Sequence, residues 1–255
     1  MGMLLESDFR GELYPVNPTH EQIREQRCYT SVSAIESDVD LAVVAVPARS
    51  VAAVLRECGE RGIGAAIVIS AGFGEAGEQG LALQKEIVDI ARSHDIALVG
   101  PNCLGVIRPR VGLNASFARS KVGAGHVAMV AQSGSFCSAL LDWADARDFG
   151  FSAVASLGAT ADVDFGEVLD YLALDAHTKS ILLYIEGVSD ARAFISGLRA
   201  AARLKPVIVV KAGRSERGTL AALSHTGAGM VGDQVFDAAI TRAGAVRVIT
   251  VAQWL

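Results

Sequence analysis

The sequence predicts an α/β protein of two doubly wound domains, and three features predict it. The first is the strand-like runs, which are short and rich in Val, Ile and Ala, in a chain of 255 residues that is 51% hydrophobic and holds 26 glycines. Such runs suit parallel strands buried on both faces. The second is the stretches between them, which carry apolar residues at helical period, the mark of crossover helices on a parallel sheet. The third is that the pattern breaks once between Arg108 and Gly125 and then restarts, so two domains of ordinary size are expected.

Taken in order, strands are expected at GELYPV from Gly11, LAVVAV from Leu41, AAIVIS from Ala65 and IALVG from Ile96, with helices over Ser50 to Arg61 and Gly80 to His94. The stretch Arg108 to Gly125 carries Pro109 and no clear period, and reads as a connection between domains. HVAMVAQS, FSAVASLG, SILLYIEG, PVIVVKAG and AVRVIT form the second set of strands. Their helices are Ser135 to Arg147, Phe165 to Leu174, Ala191 to Arg203 and Gln234 to Ala243. The domains are therefore placed at 1–118 and 122–255. Both ends read as cut. The chain opens in what looks like the end of a helix rather than in a strand running to a Gly-rich turn, and VAQWL resembles the first turn of an unfinished helix.

Composition excludes several roles. The formal charge of -5 is spread along the chain without a basic block, so nucleic acid is not an expected partner. No apolar stretch approaches the roughly 20 residues that span a bilayer, and no targeting segment opens the chain. A cytoplasmic protein with no membrane contact is expected. Cys28, Cys58, Cys103 and Cys137 lie far apart without metal-ligand spacing, so reduced thiols and no metal held by the chain itself are expected.

Ligands of open α/β sheets bind at the carboxyl ends of strands, so the turns there are the places to search. In the first domain YPVNP, AVPAR, ISAGFGE and GPNCLG follow strands and can line a cleft with backbone groups. In the second, Ser133, Gly134 and Ser135 stand between a strand and a helix, where free amides and the helix dipole favour an anion. Ser135 reads equally as a plain N-cap. Glu186 ends an apolar strand, an unusual place for a carboxylate without a partner. His225 sits in SHTGAG among small residues that leave its ring accessible.

As a set, GPNCLG, the QSGS turn, the strand-terminal Glu186 and SHTGA resemble the nucleoside-diphosphate-forming acyl-CoA synthetases, namely the succinyl-CoA synthetase α subunit and the ADP-forming acetyl-CoA synthetases. Segments such as GLNASF, LDWADARDFGF and LLYIEGVSDARAFI look closer still to the synthetase-like region of bacterial polypeptides fused to an N-acetyltransferase domain. The resemblance implies a Rossmann-like CoA-binding domain followed by a flavodoxin-like succinyl-CoA-synthetase domain. It implies that His225 is phosphorylated, that Glu186 orients its ring, and that Ser133, Gly134 and Ser135 hold the phosphoryl oxygens. Val16, Asn17, Pro18, Val46, Pro47, Ser70, Asn102 and Cys103 would line the CoA cleft. ATP or ADP with Mg2+ would act through a separate ATP-grasp domain on a small carboxylic acid, in an oligomer. The family's first strand and phosphate-cradling turn have no counterpart here, so weak CoA binding is expected. A second reading is the regulatory acyl-CoA-sensing region of a protein lysine acetyltransferase, which needs the cleft but not His225. A nicotinamide-dependent oxidoreductase is a third, without the G-x-G-x-x-G turn that would support it.

Overall fold

A computed structural model describes residues 2–213 and 232–254. A short helix α1 (Gly2–Glu6) leads into an irregular segment with a two-residue hairpin, β1 (Gln22–Ile23) and β2 (Gln26–Arg27). The expected strand at GELYPV does not form. Pro15 has no N–H to give a sheet ladder, and the segment makes only an isolated bridge between Val16 and Tyr29.

Three parallel strands follow, β3 (Leu41–Val44), β4 (Ala65–Val68) and β5 (Ala97–Val99), side by side in chain order. They are linked by α2 (Ala48–Glu60) and α3 (Glu78–Ser93). Both helices place an apolar stripe on one face of the sheet, where Leu55, Cys58, Ile87 and Ala91 pack on Ala66, Val68 and Leu98. Because side chains alternate along a strand, Ile67 points to the opposite face. There it meets Leu4, Cys103, Val106 and Ala115.

That opposite face is covered by a hairpin the sequence reading did not anticipate. The stretch expected to be an irregular connection, Arg108 to Gly125, includes β7 (Leu113–Ser116), which pairs antiparallel with β6 (Gly105–Arg108) just before it; β6 in turn joins the second sheet through β9 (Phe151–Ser156). Its tight turn uses Gly112 at φ 66°, where a Cβ would stand 2.3 Å from the backbone of Asp8.

Among the described residues the second sheet has seven strands, in the order β12-β11-β10-β8-β9-β6-β7. Its parallel members are β8 (Ala124–Ala131), β9, β10 (Ser180–Ile185), β11 (Val207–Lys211) and β12 (Val246–Val248). Counted from β8 these run 2-1-3-4-5, the flavodoxin-like order. One face packs on α4 (Gly134–Asp145) through Cys137, Leu140 and Leu141. The other carries α5 (Phe165–Leu174), α6 (Ala191–Leu204) and α7 (Asp233–Ala243), with Phe165, Leu169, Phe194, Leu198 and Ile240 buried against the strands. Each buried Phe or Leu contributes about 1.5–3 kcal/mol by leaving water. The helices begin where the sequence provides caps. Asp164 and Glu167 form a reciprocal capping box on α5, and Asp190 accepts from the amides of Arg192 and Ala193 at 2.9 Å on α6. A last turn, α8 (Val251–Trp254), forms where VAQWL predicts one.

The two sheets are stitched together beside β5. Val163 N donates to Leu98 O, Ala161 N to Gly100 O and Ala159 N to Pro101 O, at 3.0 to 3.2 Å. Asp162 adds a bond from Leu98 N and an ion pair with Arg92 at 3.1 Å. Among the described residues, no helix is long and apolar enough to cross a membrane.

Candidate functional site

In the first sheet, the carboxyl-end turns are tied to one another in sequence. Ser70 Oγ donates to Val46 O, and Asn102 N donates to Ser70 O at 3.0 Å. Pro47 stands as N-cap of α2, next to Val46. These four predicted residues, Val46, Pro47, Ser70 and Asn102, thus form one continuous rim. Val16, Asn17 and Pro18 lie in the segment before that sheet. Asn17 N donates to Tyr29 O at 2.8 Å, and Asn17 Oδ1 accepts from both the amide and the hydroxyl of Thr19. Cys103 is turned away from the rim. Its thiol donates to Val68 O at 3.4 Å, is 2% exposed, and burial pushes its pKa up to about 12, so it offers the cleft backbone only.

Asn102 holds φ 57°, and this turn is clamped from the second sheet. Ser156 Oγ accepts from Leu104 N at 3.0 Å. Gly158, at φ 57°, lies so close beneath that a Cβ there would meet Pro101 O at 2.3 Å and Asn102 O at 2.5 Å. Only glycine fits such an approach.

The second sheet reverses its winding between β8 and β10, the place where flavodoxin-like folds open a crevice. The β8 side ends in Ser133, Gly134 and Ser135. Ser133, and not Ser135, is the N-cap: its Oγ accepts from Phe136 N at 3.3 Å and lies 3.1 Å from Ser135 Oγ. Two hydroxyls and the first amides of α4 therefore meet at one helix end, where the dipole favours an anion.

Glu186 follows β10 on the other side, 9% exposed. Its negative charge reaches the Tyr184 phenol, whose pKa is raised first by burial and then by Glu186. The Tyr184 ring stacks on Phe136 of α4 at 3.9 Å, which ties the end of β10 to the helix that the Ser133 turn opens.

One residue absent from the sequence-based expectations joins these parts. Gln132 Oε1 accepts from Glu186 N at 2.6 Å and from Gly187 N at 3.0 Å. Its Nε2 is 3.5 Å from Thr160 Oγ1, after β9. Nothing in the QSGS motif marks the glutamine; only the neighbouring strand gives it a partner. His225 lies outside the described residues, in the chain between Lys211, which ends β11, and Asp233, which opens α7.

A rim of backbone turns on a three-stranded sheet, and a helix N-terminus at the switch point of a second, flavodoxin-like sheet, define the class as a two-domain α/β protein. Comparison with known proteins makes this specific. Residues 124–255 match the model of the succinyl-CoA ligase-like flavodoxin domain, and residues 2–109 match that of a CoA binding domain. The chain belongs to the succinyl-CoA ligase-like family.

Among its relatives, ADP-forming acetate–CoA ligase I of Archaeoglobus fulgidus is 43% identical over 244 residues, covering 96% of this chain and 36% of that protein. The α subunit of ADP-forming acetate–CoA ligase I of Pyrococcus furiosus is 40% identical over 257 residues, covering 99% of this chain and 56% of the subunit. Among solved structures, acetyl-coenzyme A synthetase 1 of Ca. Korarchaeum cryptofilum, in complex with phosphate and ADP, superposes with a TM-score of 0.95 at 35% identity, over 99% of this chain and 55% of that one. The chain thus spans about half the length of the α subunit, about a third of the longer Archaeoglobus ligase, and corresponds to their α-type part.

Proposed function

We propose that this chain serves an acid–CoA ligase that forms acetyl-CoA or another short acyl-CoA through a phosphohistidine at His225, loaded by a separate ATP-grasp domain with ATP and Mg2+. The observation that carries the reading is the crevice at the β8/β10 switch point, where the Ser133 turn and Glu186 are held together by Gln132. In this scheme a neutral His225 nitrogen attacks the terminal phosphorus of the nucleotide, and the bond to the leaving nucleoside diphosphate breaks. An oxygen of the substrate carboxylate then attacks the same phosphorus, releasing the imidazole and giving an acyl phosphate. Glu186 accepts a hydrogen bond from the other ring nitrogen, which fixes the tautomer and offsets the charge that develops on the ring. Ser133, Gly134 and Ser135 hold the phosphoryl oxygens at the start of α4.

The first-sheet rim suits the second substrate. Val46, Pro47, Ser70 and Asn102, with Val16, Asn17, Pro18 and the backbone of Cys103, present small groups and carbonyls along which an extended molecule can lie. CoA, when bound, supplies the thiol that takes the acyl group as inorganic phosphate leaves. The domain limits of 1–118 and 122–255, a fused N-acetyltransferase domain, an oligomeric state and a cytoplasmic setting belong to the same proposal and rest on the sequence.

The test is reconstitution. Supplied with acid, ATP, Mg2+ and CoA, the chain alone makes no acyl-CoA; with an ATP-grasp partner it does; and His225→Ala with that partner does not. Turnover by the chain alone would overturn the division of labour, and turnover by His225→Ala would overturn the role of the histidine.

A further inference from the structure

Three carboxyl-end turns of the second sheet meet at one side chain to which the phosphoryl-transfer scheme assigns no step. Gln132 is 8% exposed, and its amide oxygen is shared between the backbone N–H groups of Glu186 and Gly187. Its own backbone N donates to Tyr184 O at 3.3 Å, and its amide nitrogen faces the Thr160 hydroxyl. Thr160 is itself buried and held at φ 47°. A buried acceptor that serves two consecutive amides fixes where that peptide lies, because either amide left unpaired in this setting is costly. The peptide it fixes carries Glu186, and the next residue after Gln132 is Ser133, the cap of the anion-favouring turn.

We infer that Gln132 is a positioning residue, which holds the Glu186 carboxylate at a set place against the Ser133–Ser135 turn and so governs how fast His225 takes up its phosphoryl group. The inference rests on the reading of His225 as the phosphoryl carrier. Gln132→Met keeps the length of the side chain and removes the acceptor; the Glu186 and Gly187 amides then turn to water and the carboxylate moves with them. Partners that orient the ligands of a metal site are commonly worth about tenfold to a hundredfold, and by analogy Gln132→Met is expected to slow labelling by about that factor.

The experiment follows the rate of histidine labelling from radiolabelled ATP, using the full chain with its ATP-grasp partner. Parent, Gln132→Met, Glu186→Gln and the double variant are compared at saturating nucleotide. A positioning role predicts that Gln132→Met slows the parent roughly tenfold or more and slows the Glu186→Gln protein by less than about threefold, because no carboxylate remains to be placed. A role confined to stabilising the fold predicts the same factor in both backgrounds, and that result, or an unchanged rate in Gln132→Met, overturns the inference. If Gln132→Met does not fold, Gln132→Glu carries the test. It keeps the acceptor but sets a negative charge on the Glu186 peptide, so the acid limb of the labelling rate moves to higher pH; an unmoved limb overturns the inference. A parent protein that takes no label sinks the phosphohistidine reading and this inference with it, whereas a labelled parent beside an equally fast Gln132→Met sinks the inference alone.

Discussion

Gly158→Ala tests whether the seam between the sheets sets the shape of the proposed CoA cleft. Gly158 is held at φ 57°, and a Cβ there would fall 2.3 Å from Pro101 O and 2.5 Å from Asn102 O, both backbone atoms that no side-chain rotation can move. The left-handed conformation costs an alanine about 1–2 kcal/mol. Forcing the Asn102 turn aside adds about 1–3 kcal/mol, as overpacking usually does. For a protein of this size each kcal/mol lowers the melting temperature by about 2–4 °C, so a fall of roughly 4–20 °C is expected by calorimetry or circular dichroism. Gly62→Ala is the control, since Gly62 has φ 73° but nothing within 4 Å of its Cβ position. It should lose only the conformational part, about 1–2 kcal/mol. Because the displaced turn carries Asn102 and abuts Ser70, CoA affinity should fall by about tenfold in Gly158→Ala, some 1.4 kcal/mol, and stay unchanged in Gly62→Ala. Equal losses of stability in the two variants would refute the steric argument.

Two further predictions concern buried groups. Burial pushes the Asp175 carboxyl up, but hydrogen bonds from Thr178 and the His177 amide and the Arg108 guanidinium at 3.3 Å outweigh it and hold its pKa below the ordinary value. A carboxylate held low stabilises the fold above its unfolded pKa of about 3.9, and that stability is lost as pH falls through the folded value. The parent should therefore lose more stability than Asp175→Asn between pH 7 and pH 3 in urea titrations, and parallel curves would contradict this. Burial also raises the thiols of Cys58 to about 11 and of Cys103 and Cys137 to about 12. Since the thiolate is the nucleophile, all three should resist iodoacetamide at pH 8 in the folded protein and react in guanidinium; mass spectrometry showing Cys103 alkylated without unfolding would contradict the packing.

Most of the second sheet was legible because its strands are continuous apolar runs and its helices announce their starts. Asp164 with Glu167 marks the first turn of α5, and the helix spans the expected Phe165–Leu174. GELYPV misled because its apolar residues suit a strand while Pro15 cannot take part in a ladder. The β6–β7 hairpin was missed for another reason: its two short strands have weak periodicity, and the strand that completes them, β9, begins at Phe151, far along the chain. At the candidate site Ser133 and Glu186 could be picked out from sequence, although the cap was expected at Ser135 and the fold places it on Ser133. Gln132 could not, because its importance comes from two amides that only the fold brings to it.

The account stands most directly on where a phosphoryl group goes. The chain is incubated with an ATP-grasp partner and terminally labelled ATP, quenched in alkali to preserve a phosphoramidate, and mapped by mass spectrometry. The account predicts a single acid-labile, base-stable phosphate on His225, absent from His225→Ala and formed more slowly in Glu186→Gln. A label that persists in His225→Ala, or an active ligase that never carries one, would contradict it.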